Sequence, residues 1–133
     1  MTAPFSRRVA LRAVAAGVAS AALPALAAWP DKPIKIVVTF PPGGSSDILA
    51  RIMSDQLGKK LGQSVVVDNR PGSAGNVGAD AVSKAAPDGY TLLLGTISLS
   101  VNPSLYPKMT YDPVKDLSAI SMISSTPFLL VVN

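Results

Sequence analysis

Residues 43–47 read Gly-Gly-Ser-Ser-Asp, behind Phe40-Pro41-Pro42, and they hold the densest set of groups able to contact a ligand. Glycines followed by small hydroxyl residues and an aspartate, placed where a helix opens, offer free backbone N–H groups and a positive dipole end to an anion. No lysine or histidine stands in the loop. Its chemistry is therefore holding an anionic group, not reacting with it. A triphosphate loop would end in Gly-Lys-Ser/Thr; here Gly44 is followed by Ser45, Ser46 and Asp47. Asp47 would repel a highly charged phosphate chain, so a small carboxylate fits better. The same residues could also make a glycine turn and helix cap that hold no ligand.

Other candidates are spaced along the chain. Gly72, Gly75 and Gly78 follow a strand-like run, but their spacing is not G-x-G-x-x-G and no acidic residue ends the next strand. They read as helix–sheet packing and a second helix start, not as a dinucleotide site. Ser98, Ser100 and Asn102 could supply hydrogen bonds to a ligand. Arg70 could pair with a carboxylate or serve as a structural turn charge. The sequence contains no Cys, His or Glu. That excludes disulfides, thiolate metal sites and the Ser-His and Cys-His nucleophile pairs. No G-x-S-x-G elbow is present either. No catalytic residue, metal or cofactor is expected.

The elements that position these residues follow from periodicity. Ile34 to Thr39 is a β-branched strand whose continuous apolar character suits a parallel sheet covered on both faces. Ser45 to Leu61 is an amphipathic helix, with Ile48, Leu49, Ile52, Met53, Leu57 and Leu61 as its apolar stripe and Gly62 as its αL stop. A second strand covers Ser64 to Asn69. A second helix covers about Ala74 to Ala86, with Val77, Ala81, Val82 and Ala85 inward. A third strand covers Tyr90 to Thr96. The order β-α-β-α-β predicts a doubly wound, mostly parallel α/β sheet whose ligand lies beyond the carboxyl ends of the strands. Later, Asn102 to Tyr106 reads as a short helix start, and Leu117 to Ile123 and Phe128 to Val132 read as extended segments.

Arg7, Arg8 and Arg12 precede an uncharged run at 13–28 that as a helix would span about 24 Å, short of a hydrocarbon core of about 30 Å. With Ala25-Leu26-Ala27 supplying a small-x-small site, residues 1–27 read as a cleaved export signal, by the Sec or twin-arginine route. Without Arg7, Arg8 and Arg12, nine basic residues face eight acidic ones, a net charge of +1. The basic balance therefore belongs largely to the leader, and a nucleic-acid partner is not supported. Residues 28–133 then form the domain, and the apolar run before Asn133 suggests a fragment.

Six ordered motifs resemble one family: Trp29-Pro30-Asp31-Lys32-Pro33, Phe40 to Asp47, Asp68 to Gly78, Pro87 to Leu93, Asn102 to Tyr106 and Tyr111 to Asp116. This is similar to the extracytoplasmic solute receptors of the tripartite tricarboxylate transporters, the Bug family. The resemblance implies a type II periplasmic-binding-protein (Venus flytrap) fold, of which this chain is an incomplete first lobe lacking the second. It implies a periplasmic receptor, monomeric when full length, that captures a small carboxylate for membrane permease subunits. That ligand class spans di- and tricarboxylates, amino acids and aromatic acids. Carried over, the ligand contacts are Phe40, Pro41, Gly43, Gly44, Ser45, Ser46 and Asp47 in the first loop. Ser73, Ala74, Gly75 and Asn76 open the second helix, and Thr96 and Ser98 lie in the third loop. The alternatives are a ligand sensor feeding a signalling receptor, or a hydrolase or transferase with catalytic groups elsewhere.

Overall fold

The computed structural model describes residues 29–126. The expected export signal and the expected extended segment Phe128 to Val132 lie outside them. β1 (Ile34–Val38), α1 (Ser45–Leu61), β2 (Val65–Asn69), α2 (Asn76–Ser83), β3 (Thr91–Leu94) and α3 (Ser98–Leu105) follow in order, with a short 3-10 turn at Ser73–Gly75 ahead of α2. The sheet is parallel throughout, in the order β2-β1-β3. Ile34 pairs with Val65 and Val38 with Asn69 on one side; on the other, Lys35 pairs with Thr91 and Val38 with Leu94.

β1 is central, and its alternation builds both faces. Ile36 and Val38 join Ala50 and Leu94 in a core completed by Met53, Leu57, Val65, Val67 and Leu92. α1 therefore covers this face. Val37 and Thr39, also buried, point to the opposite face. There α2 lies so close that a Cβ at Gly78 would stand 3.0 Å from the Thr39 methyl and 3.0 Å from the Arg70 carbonyl oxygen. Helices on both faces of one parallel sheet confirm the doubly wound α/β lobe. α2 has eight residues, about 12 Å of helix. It covers only the carboxyl half of its face, which leaves Lys35 and Val66 in water.

Three expectations are corrected. Ile48 and Ile52 are exposed, at 54% and 58%. α1 instead docks through Asp47, Ala50, Met53 and Leu57, because the alanine permits close approach to a floor only three strands wide. The second helix is shorter than Ala74 to Ala86, and Val77 is exposed while Gly78 and Ala79 are buried. α3 begins at Ser98, so Asn102 and Pro103 lie inside it. Leu117 to Ile123 carries no strand pairing among the described residues.

The amino-terminal ends of β1 and β3 are tied by a separate cluster. Trp29 packs on Tyr90 at 5.8 Å between ring centroids, and the Lys32 ammonium sits 4.2 Å from the Tyr90 ring centre. Lys32 also pairs with Asp88 at 3.0 Å. This leaves the carboxyl ends of all three strands together at the opposite edge.

Candidate functional site

Those carboxyl ends gather Thr39 to Gly44, Arg70 to Gly75 and Gly95 to Ser98. The first loop is shaped from beneath by Asp47. Gly44 is the N-cap of α1 and no side chain caps the helix. Asp47, the third residue of the helix, turns its carboxylate back and inward, 3% exposed. It accepts hydrogen bonds from the Gly43 amide (2.9 Å), Arg51 Nε (3.0 Å) and Asn69 Nδ2 (3.0 Å). The same Asn69 nitrogen donates to the Phe40 carbonyl at 3.1 Å. Both partners of that nitrogen are acceptors, so the end of β2 pins the start of the loop. The Arg51 guanidinium, and next the Gly43 amide, lower the Asp47 carboxyl from 3.8 to about 2, against the opposing effect of its burial.

Two consequences follow for the ligand contacts expected in this loop. The Asp47 carboxylate and the Gly43 N–H are occupied by each other. The amides of Ser45, Ser46 and Asp47 remain, since the first turn of a helix has no internal acceptor for them. Ile48 N–H is the first to close the helix, onto the Gly44 carbonyl at 3.0 Å. Gly43, Gly44 and Ser45 are exposed and Ser46 half-exposed, so this edge faces outward. Phe40 and Pro41 flank it, also exposed.

The second loop is built differently. Ser73 and Ala74 adopt φ of 47° and 52°, and Gly75 of 93°. In this left-handed turn the Gly75 amide donates to the Gly72 carbonyl at 2.9 Å, and the Asn76 amide to the Ser73 carbonyl. The amides at the start of α2 are thus consumed inside the turn. The Asn76 Oδ1 atom is occupied too, receiving Asn102 Nδ2 (2.8 Å) and the Tyr111 hydroxyl (2.9 Å). Asn102, proposed from sequence as a ligand donor, is 2% exposed and turned into this network. Arg70 pairs with Asp68 at 2.9 Å, its structural alternative.

The third loop brings Thr96 and Ser98 within 2.8 Å of each other through their hydroxyls. Gly75 lies against both neighbouring loops: a Cβ there would stand 3.2 Å from Thr39 Oγ1 and 3.3 Å from Ser98 Oγ. The structure therefore brings the second and third loops into contact across the end of β1. Sequence reasoning missed Thr39, Asn69 and Tyr111. Asn69 carried a usable signal, as an amide side chain ending a strand just ahead of the Arg70-Pro71 turn. Tyr111 carried none, because its partner stands 35 residues earlier.

A concavity of about 420 Å³ lies at the other end of the sheet between α1 and β2. It contains none of the expected ligand residues. Another of about 300 Å³ adjoins the second loop at Ser73 and Asn76. Among the described residues no cluster of acidic or histidine side chains could hold a metal ion, and no helix is long and apolar enough to cross a membrane.

Known proteins resemble this chain in sequence and in fold. Protein BugT of Bordetella pertussis is 48% identical over 107 residues, which cover 79% of this chain and 33% of that protein. The periplasmic binding protein BugD superposes with a TM-score of 0.64 at 39% identity, covering 66% of this chain and 29% of BugD. MatC of Rhodopseudomonas palustris, solved with bound malate, gives a TM-score of 0.58 at 40% identity over 66% of this chain and 30% of MatC. The chain thus spans about a third of the length of such relatives. Residues 49–133 match the tripartite tricarboxylate transporter family receptor, and the chain belongs to that family.

Proposed function

We propose that the protein is a periplasmic receptor that captures a small carboxylate and presents it to the permease of a tripartite tricarboxylate transporter. The supporting observation is the uncapped start of α1. Three amides and the hydroxyls of Ser45 and Ser46 stand at a positive dipole end, with no lysine or arginine in the loop itself. That arrangement suits one carboxylate group better than a polyphosphate. The malate bound in MatC is a ligand of the same chemistry.

Ser73, Ala74, Gly75 and Asn76 shape the neighbouring wall, and Thr96 and Ser98 offer hydroxyls beside it. The Asp47 carboxyl, Gly43 amide and Asn76 oxygen act from beneath by fixing the loops. The reading is of a binder and not an enzyme. A carboxyl held at about 2 is a poor proton acceptor near neutral pH. With the second lobe that the relatives' length implies, ligand capture would be closure over this edge, driven by differential affinity for the closed form.

Ser45 gives a direct test, because proline is well tolerated at the first position of a helix. Ser45→Pro deletes one amide donor without breaking α1, and Ser45→Ala controls for the hydroxyl. In the full-length protein, calorimetry with malate and a panel of di- and tricarboxylates should show Ser45→Pro weaker by about tenfold or more, the scale of one charge-assisted hydrogen bond. Equal affinity for Ser45→Pro and the parent would remove the helix start from the site.

A further inference from the structure

We propose that Asn102 is a positioning residue that locks the second and third loops into one preformed unit. The reason begins with the backbone. Ser73 and Ala74 both have positive φ and both carry a Cβ, a conformation that persists only when its surroundings over-determine it. The surroundings are specific. Asn102 Nδ2 donates to the Ala74 carbonyl at 3.1 Å and to Asn76 Oδ1 at 2.8 Å. One side chain therefore grips the strained turn on its left-handed residue and on the first residue of α2. The Tyr111 hydroxyl holds the same Asn76 oxygen from the other side at 2.9 Å. Thr39 and Ser98 pack closely on Gly75, where a Cβ would stand 3.1 Å from Thr39 Cβ and 3.3 Å from Ser98 Oγ.

Asn102 belongs to α3, which follows the third loop directly, and it is 2% exposed. Only a side chain that donates and is short enough to stay buried satisfies both acceptors. An aspartate would place an acceptor against two acceptors, and an apolar residue would leave the Ala74 carbonyl without this donor and Asn76 Oδ1 with the Tyr111 hydroxyl alone. Because α3 carries Ser98 at its start and Asn102 one turn later, the grip fixes Ser73 and Ser98 relative to each other before any ligand arrives. Such preorganisation lowers the ordering cost of binding. Its value for affinity rests on the carboxylate-receptor reading; the locking itself does not.

Site-resolved amide exchange in the full-length protein, without ligand, tests the lock. Asn102→Leu keeps the side chain's bulk and removes the donor. Exchange of the Gly75, Asn76 and Val77 amides should accelerate about tenfold, with the Gly43 amide unchanged. Tyr111→Phe removes one donor from the same oxygen and should give the same local pattern at smaller size, which keeps the test decisive if Asn102→Leu does not fold. Unchanged exchange at Gly75 to Val77, or equal acceleration across β1 and Gly43, would overturn the assignment. Malate calorimetry forms a separate arm. A parent protein that binds no carboxylate defeats the receptor reading and leaves the exchange result standing.

Discussion

The turn ahead of α1 and the turn ahead of α2 differ in what they do with their backbone N–H groups. In the first, an ionised aspartate takes the single amide of Gly43, and the amides of Ser45, Ser46 and Asp47 are left without an acceptor inside the helix. In the second, the amides of Gly75, Asn76 and Val77 are turned onto the carbonyls of Gly72 and Ser73, and the cost is a left-handed Ser73-Ala74. The first turn is relaxed and open; the second is strained and closed on itself. In the proposed site, two glycine-rich helix starts that look alike in sequence would thus take different parts, one offering donors and the other forming a wall beside them.

The glycines give the largest contrast. Gly75 and Gly43 both have positive φ, but a Cβ at Gly75 would stand 3.1 Å from Thr39 Cβ, whereas at Gly43 nothing lies within 4 Å. Gly75→Ala should destabilise the full-length protein by about 2–4 kcal/mol, combining backbone strain with overpacking. Gly43→Ala should cost only about 1 kcal/mol, from φ alone. Denaturant midpoints for the two variants measure the difference. Equal losses would mean that the second turn is not confined by Thr39 and Ser98.

The two clips should also fail at opposite ends of the pH scale. Asp47 has a folded value of about 2, below its ordinary 3.8. Its stabilisation is therefore complete above about pH 4 and is lost as pH falls toward 2. Tyr111 is shifted the other way, above 10, first by burial and then by the charge of Asp80. Its neutral hydroxyl is the form that donates to Asn76, so its contribution is complete below pH 10 and is lost as pH rises beyond that. Asp47→Asn should flatten the acid limb of a stability–pH profile, and Tyr111→Phe the alkaline limb. An unaltered acid limb in Asp47→Asn would mean that other carboxylates govern it.

How legible this was in sequence depends on the reach of the contacts. α1 runs from Ser45 to Leu61, as its local signals predict, because a glycine N-cap, an early Asp47, late Lys59 and Lys60 and an αL Gly62 all act within one turn of their own positions. The first loop was legible for the same reason, apart from the Asn69 clip. The second helix was not, since the turn that delays its start to Asn76 is held by residues 26 to 35 positions away. The exposure of Ile48 and Ile52 escaped periodicity too. They satisfy the helical repeat, but which part of a wide apolar stripe faces inward is set by the sheet below, and that sheet selects Ala50.

The smallest expected effect is the most diagnostic of what the strain is for. Ala74→Gly relieves the left-handed penalty at φ 52°, worth about 1 kcal/mol, and adds unfolded-state entropy that removes about 0.4–1 kcal/mol. The two nearly cancel, so the denaturant midpoint should move little. The folded ensemble is another matter, because glycine also opens conformations that the Asn102 grip on the Ala74 carbonyl must then exclude. If the second turn is a preformed wall, malate should bind the glycine variant more weakly, by a few-fold, with most of the loss in entropy as the loop is ordered on binding. At Gly43, where the backbone is already glycine and Asp47 supplies the order, no such reserve exists. An Ala74→Gly protein with parental stability and parental affinity would show the strain to be a by-product of packing against Thr39, unconnected with the ligand.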